Sequence, residues 1–216
     1  MKRGLLGILL ATLFVSCDKS PEEKATTLIE EDIKKVLYHP ETYDPVETQI
    51  DSAFTPFDDP VFYEKTVQLC ELGMSIDEYD RNMKEAKSSM SIWSGPYQSA
   101  FAQNEYQEAK DEYDENERNK KSLEIKAQKL ANELKAMLEK EQQFIGFKAR
   151  HRYRANNNAG QARFGEIEYL FDKNMSGIVA SYDMDSEEYK AVQLLYRQML
   201  GEDVHIDSEN FDNSDL

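Results

Sequence analysis

The spacing of apolar residues changes several times along the chain, and each change marks a predicted element. In residues 25–38 apolar side chains recur every three or four positions, which is the period of one helix face. His39-Pro40 ends that helix, because the residue before a proline avoids helical backbone angles. Residues 46–54 then alternate with period two, which predicts a strand.

A long helical region follows the strand. Asp59 is a good N-cap and Pro60 suits the first helical position, so we expect a helix from Val61 to Met90. Ser94-Gly95-Pro96 breaks the pattern, and a second stretch without proline or glycine predicts a helix from Tyr97 to Gln143. The apolar positions of the first helix are Leu69, Leu72, Ile76, Tyr79, Met83, Ala86 and Met90. Those of the second are Phe101, Tyr106, Tyr113, Ile125, Leu130, Leu134, Met137 and Leu138.

The two stretches together predict an antiparallel helical hairpin, residues 60–143, whose arms pair as a coiled coil. Its middle, residues 110–121, is almost wholly polar, and a helix that is polar all round leaves the protein body or bends. At about 1.5 Å per residue the arms would reach roughly 45 Å and 70 Å, more than a small domain needs. We therefore expect the hairpin to project.

Strand patterns return after the hairpin. Between Ile145 and Ala155 apolar positions alternate with a row of cations, which are Lys148, Arg150, Arg152 and Arg154. Residues 156–160 predict a turn, because Asn and Gly tolerate a positive φ. The next predicted strand, Phe164–Phe171, places Glu166 and Glu168 on the face where they meet the cations.

The chain continues with one more strand and one more helix. Ile178–Tyr182 predicts the strand, and Asp185 is the predicted N-cap of a helix with Glu188 in the capping-box position. Residues 202–216 form an acidic tail without Lys or Arg, which we expect to be disordered. Residues 25–201 thus predict an α+β fold: a long antiparallel helical hairpin inserted in a small antiparallel β-sheet domain, flanked by N- and C-terminal helices.

The first residues of the chain are typical of export. Two cations precede an apolar run of about eleven residues, which is too short for a helix that spans a bilayer. Leu13-Phe14-Val15-Ser16-Cys17 resembles a lipobox, in which the cysteine carries the lipid and becomes the first mature residue. We interpret residues 1–16 as a lipoprotein signal peptide, Cys17 as the lipidation site and residues 17–24 as a polar tether. The alternative is an ordinary secretory signal with an incidental cysteine.

The charge of the chain restricts its partners. The formal charge is −16, and removal of residues 1–16 takes away two cations and no acid, which makes it −18. Such a charge disfavours nucleic acid, whose phosphates need clustered Lys and Arg, and it disfavours adsorption to an anionic bilayer. The predicted membrane contact is therefore the lipid on Cys17. Lipidation would leave Cys70 without a disulfide partner.

The order of elements resembles uncharacterised lipoproteins of gut Bacteroidota. Besides the lipobox, the likeness rests on a helix before Tyr43-Asp44-Pro45, an acidic helical hairpin, and the strand Phe147–Arg154 ahead of an Asn/Gly turn. The likeness covers most of the mature chain. It implies a cell-envelope protein anchored by lipid in the outer membrane or at the cell surface rather than in the inner membrane, and it brings no known activity.

Two groups of residues are candidates for binding. The cationic row, residues 148–154, would suit a phosphate, a sulfate or an acidic glycan; the other interpretation is a solvated face neutralised by Glu166 and Glu168. The loop after the predicted strand Phe164–Phe171 resembles a calcium loop of the EF-hand type. Its candidate ligands are Asp172, Asn174, Ser176 and Asp183. Asp183 is one methylene too short for the bidentate position. The favoured interpretation is therefore a polar turn, and no metal is predicted.

No catalytic motif and no phosphate-binding loop occur in the sequence, and His151 falls on the inward side of its strand. We therefore expect no enzymatic activity and no cofactor. The favoured hypothesis is a membrane-anchored, non-catalytic lipoprotein whose hairpin presents a protein-interaction surface to an envelope partner. The alternatives are a small anionic-ligand or glycan-binding module that uses the basic strand 148–154, and an enzyme of unrecognised type.

Overall fold

The structure, a computed structural model, describes residues 20–96 and 99–202. Within these residues it contains four helices and a four-stranded antiparallel sheet, which confirms the predicted α+β fold. The elements in chain order are α1 (Pro21–Val36), β1 (His39–Phe54), α2 (Pro60–Trp93), α3 (Ala100–Leu138), β2 (Phe144–Asn156), β3 (Ala162–Phe171), β4 (Ile178–Asp183) and α4 (Glu187–Met199).

The strands lie in the order in which they occur in the chain, β1-β2-β3-β4. The hairpin of α2 and α3 is therefore an insertion between two neighbouring strands. At the other end of the sheet the Asn-rich turn joins β2 to β3 as predicted, and Gly160 supplies its positive φ of 75°. Near the hairpin, Gly146 is needed for close packing, since a Cβ there would lie 2.1 Å from the carbonyl oxygen of Phe171.

One face of the sheet is covered by α1. Ala25 and Ile29 of this helix form a buried cluster with Ala149 of β2 and with Tyr169 and Phe171 of β3. These strand residues have odd numbers, as expected if period two assigns every second side chain to the same face. The inward side chains predicted from the alternation in β2 and β3 are thus the ones that pack against α1.

The other face of the sheet meets α4 and the base of the hairpin. Phe62 and Tyr63 of α2, Leu134 of α3, and Val192 and Tyr196 of α4 share a second buried cluster. Tyr182 of β4 joins it through a stacked contact with Tyr63, at 3.9 Å between ring centroids. The sheet is thereby the middle layer between α1 and the remaining helices.

The two helices of the hairpin are antiparallel. The ammonium group of Lys65 lies 2.6 Å from the carboxylate of Glu133, and that of Lys120 lies 2.6 Å from the carboxylate of Asp80. With 34 and 39 residues, the helices extend over about 51 Å and about 58 Å. Asp59 caps α2 by accepting a hydrogen bond from the Val61 amide at 2.9 Å, as predicted.

Two helix boundaries differ from the prediction at the ends of the hairpin and the domain. The second helix ends at Leu138 and not at Gln143, because the backbone of Gln143 continues the pairing of β1 and β2 through Thr55. The first helix begins at Pro21, so residues 21–24 are helical and do not belong to a tether. Ser20 and Glu23 form a capping box there, a pattern that is present in the sequence and was missed.

Two further boundaries differ in the sheet and in α4. β1 begins at His39, seven residues before the predicted start, with irregular register around its two prolines. An edge strand tolerates proline because only one of its sides needs backbone donors. The N-cap of α4 is Ser186 and not Asp185, and Glu188 forms no capping box; its carboxylate instead accepts a hydrogen bond from the Tyr63 hydroxyl.

Candidate functional site

The four cations predicted to share a face of β2 do share it. Arg150, Arg152 and Arg154 are exposed, and Lys148 is half-buried near the hairpin. This face is opposite the one that α1 covers, and α4 and the hairpin base cover only part of it. The remaining open part is the basic strand face proposed from the sequence for anionic ligands.

Carboxylates already pair with the first two cations. Lys148 donates a hydrogen bond of 2.7 Å to Asp58, which precedes α2. Arg150 binds Glu166 of β3 through two nitrogen atoms, one of them at 3.0 Å. The hydrogen bond raises the pKa of Arg150 and lowers that of Glu166. Both groups are therefore charged at neutral pH and neutralise each other.

Arg152 lies in an open groove that contains more acids than cations. Its guanidinium carbon is 4.9 Å from the ring centroid of Phe164, which is a cation–π arrangement. The groove has a volume of about 460 Å³, and its charged lining residues are Glu47, Arg150, Arg152, Glu166 and Asp185. Three carboxylates and two guanidinium groups do not favour an anion there.

Glu168 forms no direct salt bridge with the cationic row among the described residues, although Lys148 and Arg150 lie near enough for their charges to act on it. Although it lies directly opposite Arg150 in the sheet, its carboxylate accepts a hydrogen bond of 3.4 Å from the Tyr189 hydroxyl of α4. Burial raises the pKa of Glu168, and the positive charge of Lys148 offsets part of that rise. Glu168 therefore links β3 to α4, whereas Glu166 is the acid of β3 that pairs with a cation on the open part of the face.

His151 is a core histidine, as predicted from its inward position. It is 1% exposed, and its Nδ1 and Nε2 atoms lie 2.9 Å and 3.0 Å from the hydroxyl oxygens of Thr48 and Tyr43. Burial lowers its pKa, so the imidazole is neutral at pH 7. Sequence reasoning missed both hydroxyl partners, although Thr48 occupies the inward side of a recognisable strand.

Three of the four residues considered for calcium lie in one turn, and the fourth, Asp183, does not. Asp172 accepts hydrogen bonds from the amides of Asn174 and Ser176 and from the Ser176 hydroxyl, and these bonds lower its pKa. Asp183 is paired with Ile167, five residues along β4 from the turn, or about 16 Å. The loop is therefore a polar turn organised by Asp172. Among residues 20–96 and 99–202 no group of three or more His, Cys, Asp or Glu side chains is arranged to hold a metal ion.

The hairpin has a continuous inner side, which we call the seam. In α2 the partly or fully buried positions include the predicted set from Leu69 to Met90, spaced three and four residues apart. In α3 they include Ala102, Tyr106, Ala109, Tyr113, Asn116, Lys120, Leu123, Ala127, Leu130, Leu134 and Met137. The predicted polar middle of α3 thus contributes Asn116, 9% exposed, and Lys120 to the seam.

Two of the apolar residues of α3 are exposed and do not belong to the seam. Phe101 is 63% exposed and Ile125 is 66% exposed. Ile125 stands two residues from both Leu123 and Ala127, and two residues are about 200° around a helix, so it points away from the seam. Several seam positions of α3 are alanine or polar residues, so apolar character alone does not identify the side of α3 that faces α2.

Three apolar side chains, two of them exposed and Trp93 half-buried, lie where the two helices end, and we call this group the apolar tip. It consists of Ile92, which is 70% exposed, together with Trp93 and Phe101. The rings of Trp93 and Phe101 meet edge to face at 5.6 Å between centroids. The tip thus exposes one aromatic ring, packed against the half-buried Trp93, and one aliphatic side chain at the end of the hairpin.

Only one of the two cysteines lies within the described residues. Cys17 and the predicted signal peptide, residues 1–16, lie outside the described residues. Cys70 is half-buried in α2, and burial together with the neighbouring Glu71 raises the pKa of its thiol, which makes it a poor nucleophile. Within the described ranges no helix is both long and apolar enough to cross a membrane.

Comparisons with known proteins give this geometry no relative. No protein-family model matches the chain, and no curated protein and no solved structure matches it. The function is therefore inferred from the residues and their geometry.

Proposed function

We propose that the protein is a non-catalytic lipoprotein of the cell envelope whose helical hairpin presents a protein-interaction surface. The observation that carries the proposal is the apolar tip, where Ile92 and Phe101 are exposed at the end of paired helices more than 50 Å long. Exposed apolar groups that cluster are typical of contact sites with other proteins. A sheet domain beside the membrane and a long arm would suit recognition at a distance from the anchor.

The membrane anchor is the second part of the proposal. It is supported by the short apolar run and by Ser16-Cys17, together with the resemblance to outer-membrane lipoproteins. Because α1 begins at Pro21, only three residues separate Cys17 from Pro21. A lipid on Cys17 would hold the sheet domain close to the bilayer surface.

The anchor is tested by Cys17→Ala. We expect the variant to move from the membrane to the soluble fraction, or to remain as an uncleaved precursor. The measurement is fractionation followed by intact-mass determination of the protein. Mature variant protein that still partitions into detergent would contradict a lipid on this cysteine.

The interaction surface is tested by two matched double variants. Ile92→Ser with Phe101→Ser removes the apolar tip, whereas Met74→Ser with Ile125→Ser removes two similarly exposed apolar side chains from the shaft. Each protein is cross-linked in its own membrane, purified and examined by mass spectrometry. We expect one envelope protein to be captured by the wild type and by the shaft variant and to be lost with the tip variant.

A shortened hairpin provides a stricter test. Replacing residues 84–116 by a short Gly/Ser link joins positions at the same level of the two helices, since the Asp80–Lys120 pair lies just below them. We expect cooperative unfolding to persist, because loop closure depends weakly on length, and the partner to be lost. A folded shortened protein that keeps its partner would place the interaction on the sheet domain.

The alternative of an anion-binding module has less support from the charges described above. Lys148 and Arg150 are paired with acids, and the groove beside Arg152 contains three carboxylates. Co-purification of an anion that is lost with Arg152→Gln would nevertheless favour it over the hairpin.

A further inference from the structure

The sheet has one long open edge, formed by β1. This strand pairs only with β2, and among the described residues no backbone or side-chain group is bonded to the outer side of Thr48–Ala53. Backbone N–H and C=O groups on such an edge are a template for another strand. The edge is independent of the hairpin.

The opposite edge is different. β4 has only six residues, and Pro60, Glu64 and Gln68 of α2 lie beside it across a shallow depression. A short edge next to a helix is a usual protection against strand addition. The structure therefore has a short strand at one edge and a long strand at the other, and α1 packs against the inward face of β1 without bonding to its edge.

Only the second half of β1 is suited to pairing. The first half contains Pro40 and Pro45 and two register irregularities, all of which hinder strand addition. From Glu47 to Ala53 the register is regular and contains no proline. These seven residues offer an edge of about 23 Å, long enough for a peptide strand.

Charge indicates what kind of strand would fit. Glu47 and Asp51 lie directly opposite Arg152 and Lys148 of β2, and Arg152 in turn lies opposite Glu166 of β3. Rows of acids and cations thus alternate from strand to strand on this face. The row that would follow outside β1 is cationic, since opposite charges across a strand pair stabilise it and like charges destabilise it.

We propose that residues 47–53 bind, by strand addition, an extended segment of another protein in which Lys or Arg alternates with uncharged residues. The cations face Glu47 and Asp51, while the intervening side chains lie beside Thr48, Ile50 and Ser52 on the other face. Backbone hydrogen bonds supply affinity that is independent of sequence, and the acids select for cationic residues.

Two other occupants fit the edge poorly. The segment 202–216 of this chain carries acids and no Lys or Arg, so it would place like charges together. A second copy paired about Gln49 would put Glu47 opposite Asp51, in a chain with a formal charge of −16. The charges of β1 therefore point to a different, basic protein.

The test uses the full chain and capped eight-residue peptides in which Lys or Arg alternates with Val or Thr. A matched peptide has Glu at each cationic position. We expect the basic peptide to bind at least tenfold more tightly than the acidic one in calorimetry at physiological salt. Glu47→Lys with Asp51→Lys should reverse that preference. The control, Glu112→Lys with Glu117→Lys, makes the same change of net charge at exposed positions on α3 and should leave the preference unchanged.

Strand addition is distinguished from simple charge attraction by the peptide backbone. N-methylation of alternate residues along one peptide edge should abolish binding, and methylation along the other edge should not. Hydrogen exchange should show new protection at every second amide within residues 47–53. Binding that tolerates methylation on both edges, or that protects none of these amides, would overturn the proposal. Dimerisation of the free chain through these residues, seen by ultracentrifugation, would overturn it in favour of a second copy.

Discussion

The sheet domain and the outer part of the hairpin are stabilised in different ways. The sheet domain buries large side chains completely, among them Tyr169, Ile29 and Phe62. Between residues 70 and 129 the two long helices bury only Ala86, Ala109 and Asn116, apart from residues 97 and 98, which are not described. Two of these three side chains are the single methyl group of alanine, so the fully buried positions of the outer hairpin remove little apolar area from water.

The region that contributes most to stability, the sheet domain, is therefore separate from the outer hairpin that we propose for recognition. Helices gain most of their stability from packing an apolar face, and the outer hairpin has a narrow one. We expect it to open locally at a lower free energy than the sheet domain. A partner that covers the apolar tip would add the burial that the hairpin lacks alone.

The largest expected effect compares one substitution at two places in α3. Leu134→Ala removes a fully buried side chain from the cluster that joins the hairpin to α4, and we expect a loss of about 3 kcal/mol in the free energy of unfolding. Leu123→Ala, at a half-buried seam position, should cost roughly 1 kcal/mol. Urea unfolding followed by circular dichroism measures both. Equal losses would show that the outer hairpin is packed as tightly as the domain.

The next effect tests the polar centre of the sheet domain. His151→Phe keeps an aromatic ring, of somewhat larger volume, but leaves the Tyr43 and Thr48 hydroxyls without their partner, so we expect a loss of about 2 kcal/mol at pH 7.5. Because burial lowers the pKa of His151, the unfolded chain binds a proton more readily than the folded one. The wild type should therefore lose stability as pH falls below the unfolded pKa of about 6.5, and its advantage over the variant should shrink. An advantage that grows at pH 5 would show that the folded protein contains a charged imidazole.

The smallest effect concerns the polar seam. Asn116→Leu places an apolar side chain at a buried position between the helices, and we expect a gain of about 1 kcal/mol in hairpin stability. The same change should weaken the fixed register of the two helices, because a single polar residue in such an interface selects one alignment. Thermal unfolding measures the gain, and disulfide trapping between cysteines placed at positions 79 and 120 and at shifted levels measures the register. A destabilised variant would show that Asn116 makes a necessary contact.

Much of the architecture follows from local pattern. Period two gave the pairing faces of β2 and β3, the Asn-rich turn gave their connection, and three-and-four spacing gave the seam side of α2 from Leu69 to Met90. The start of α1 was also readable, since Ser20 and Glu23 have capping-box spacing. These features depend on residues a few positions apart, and their geometry is determined before the chain folds back on itself.

The kind and approximate extent of each element, the face that each element buries and the acidic net charge can therefore be derived from the sequence alone. The tertiary structure, in contrast, selects the polar groups that meet: His151 with Tyr43, Lys148 with Asp58, and Glu168 with Tyr189. It also ended α3 at Leu138 by extending Gln143 beside Thr55. Except for Glu168 with Tyr189, these partners lie about 90 or more residues apart, and no local period contains that information, because it arises when the inserted hairpin brings β1 and β2 together.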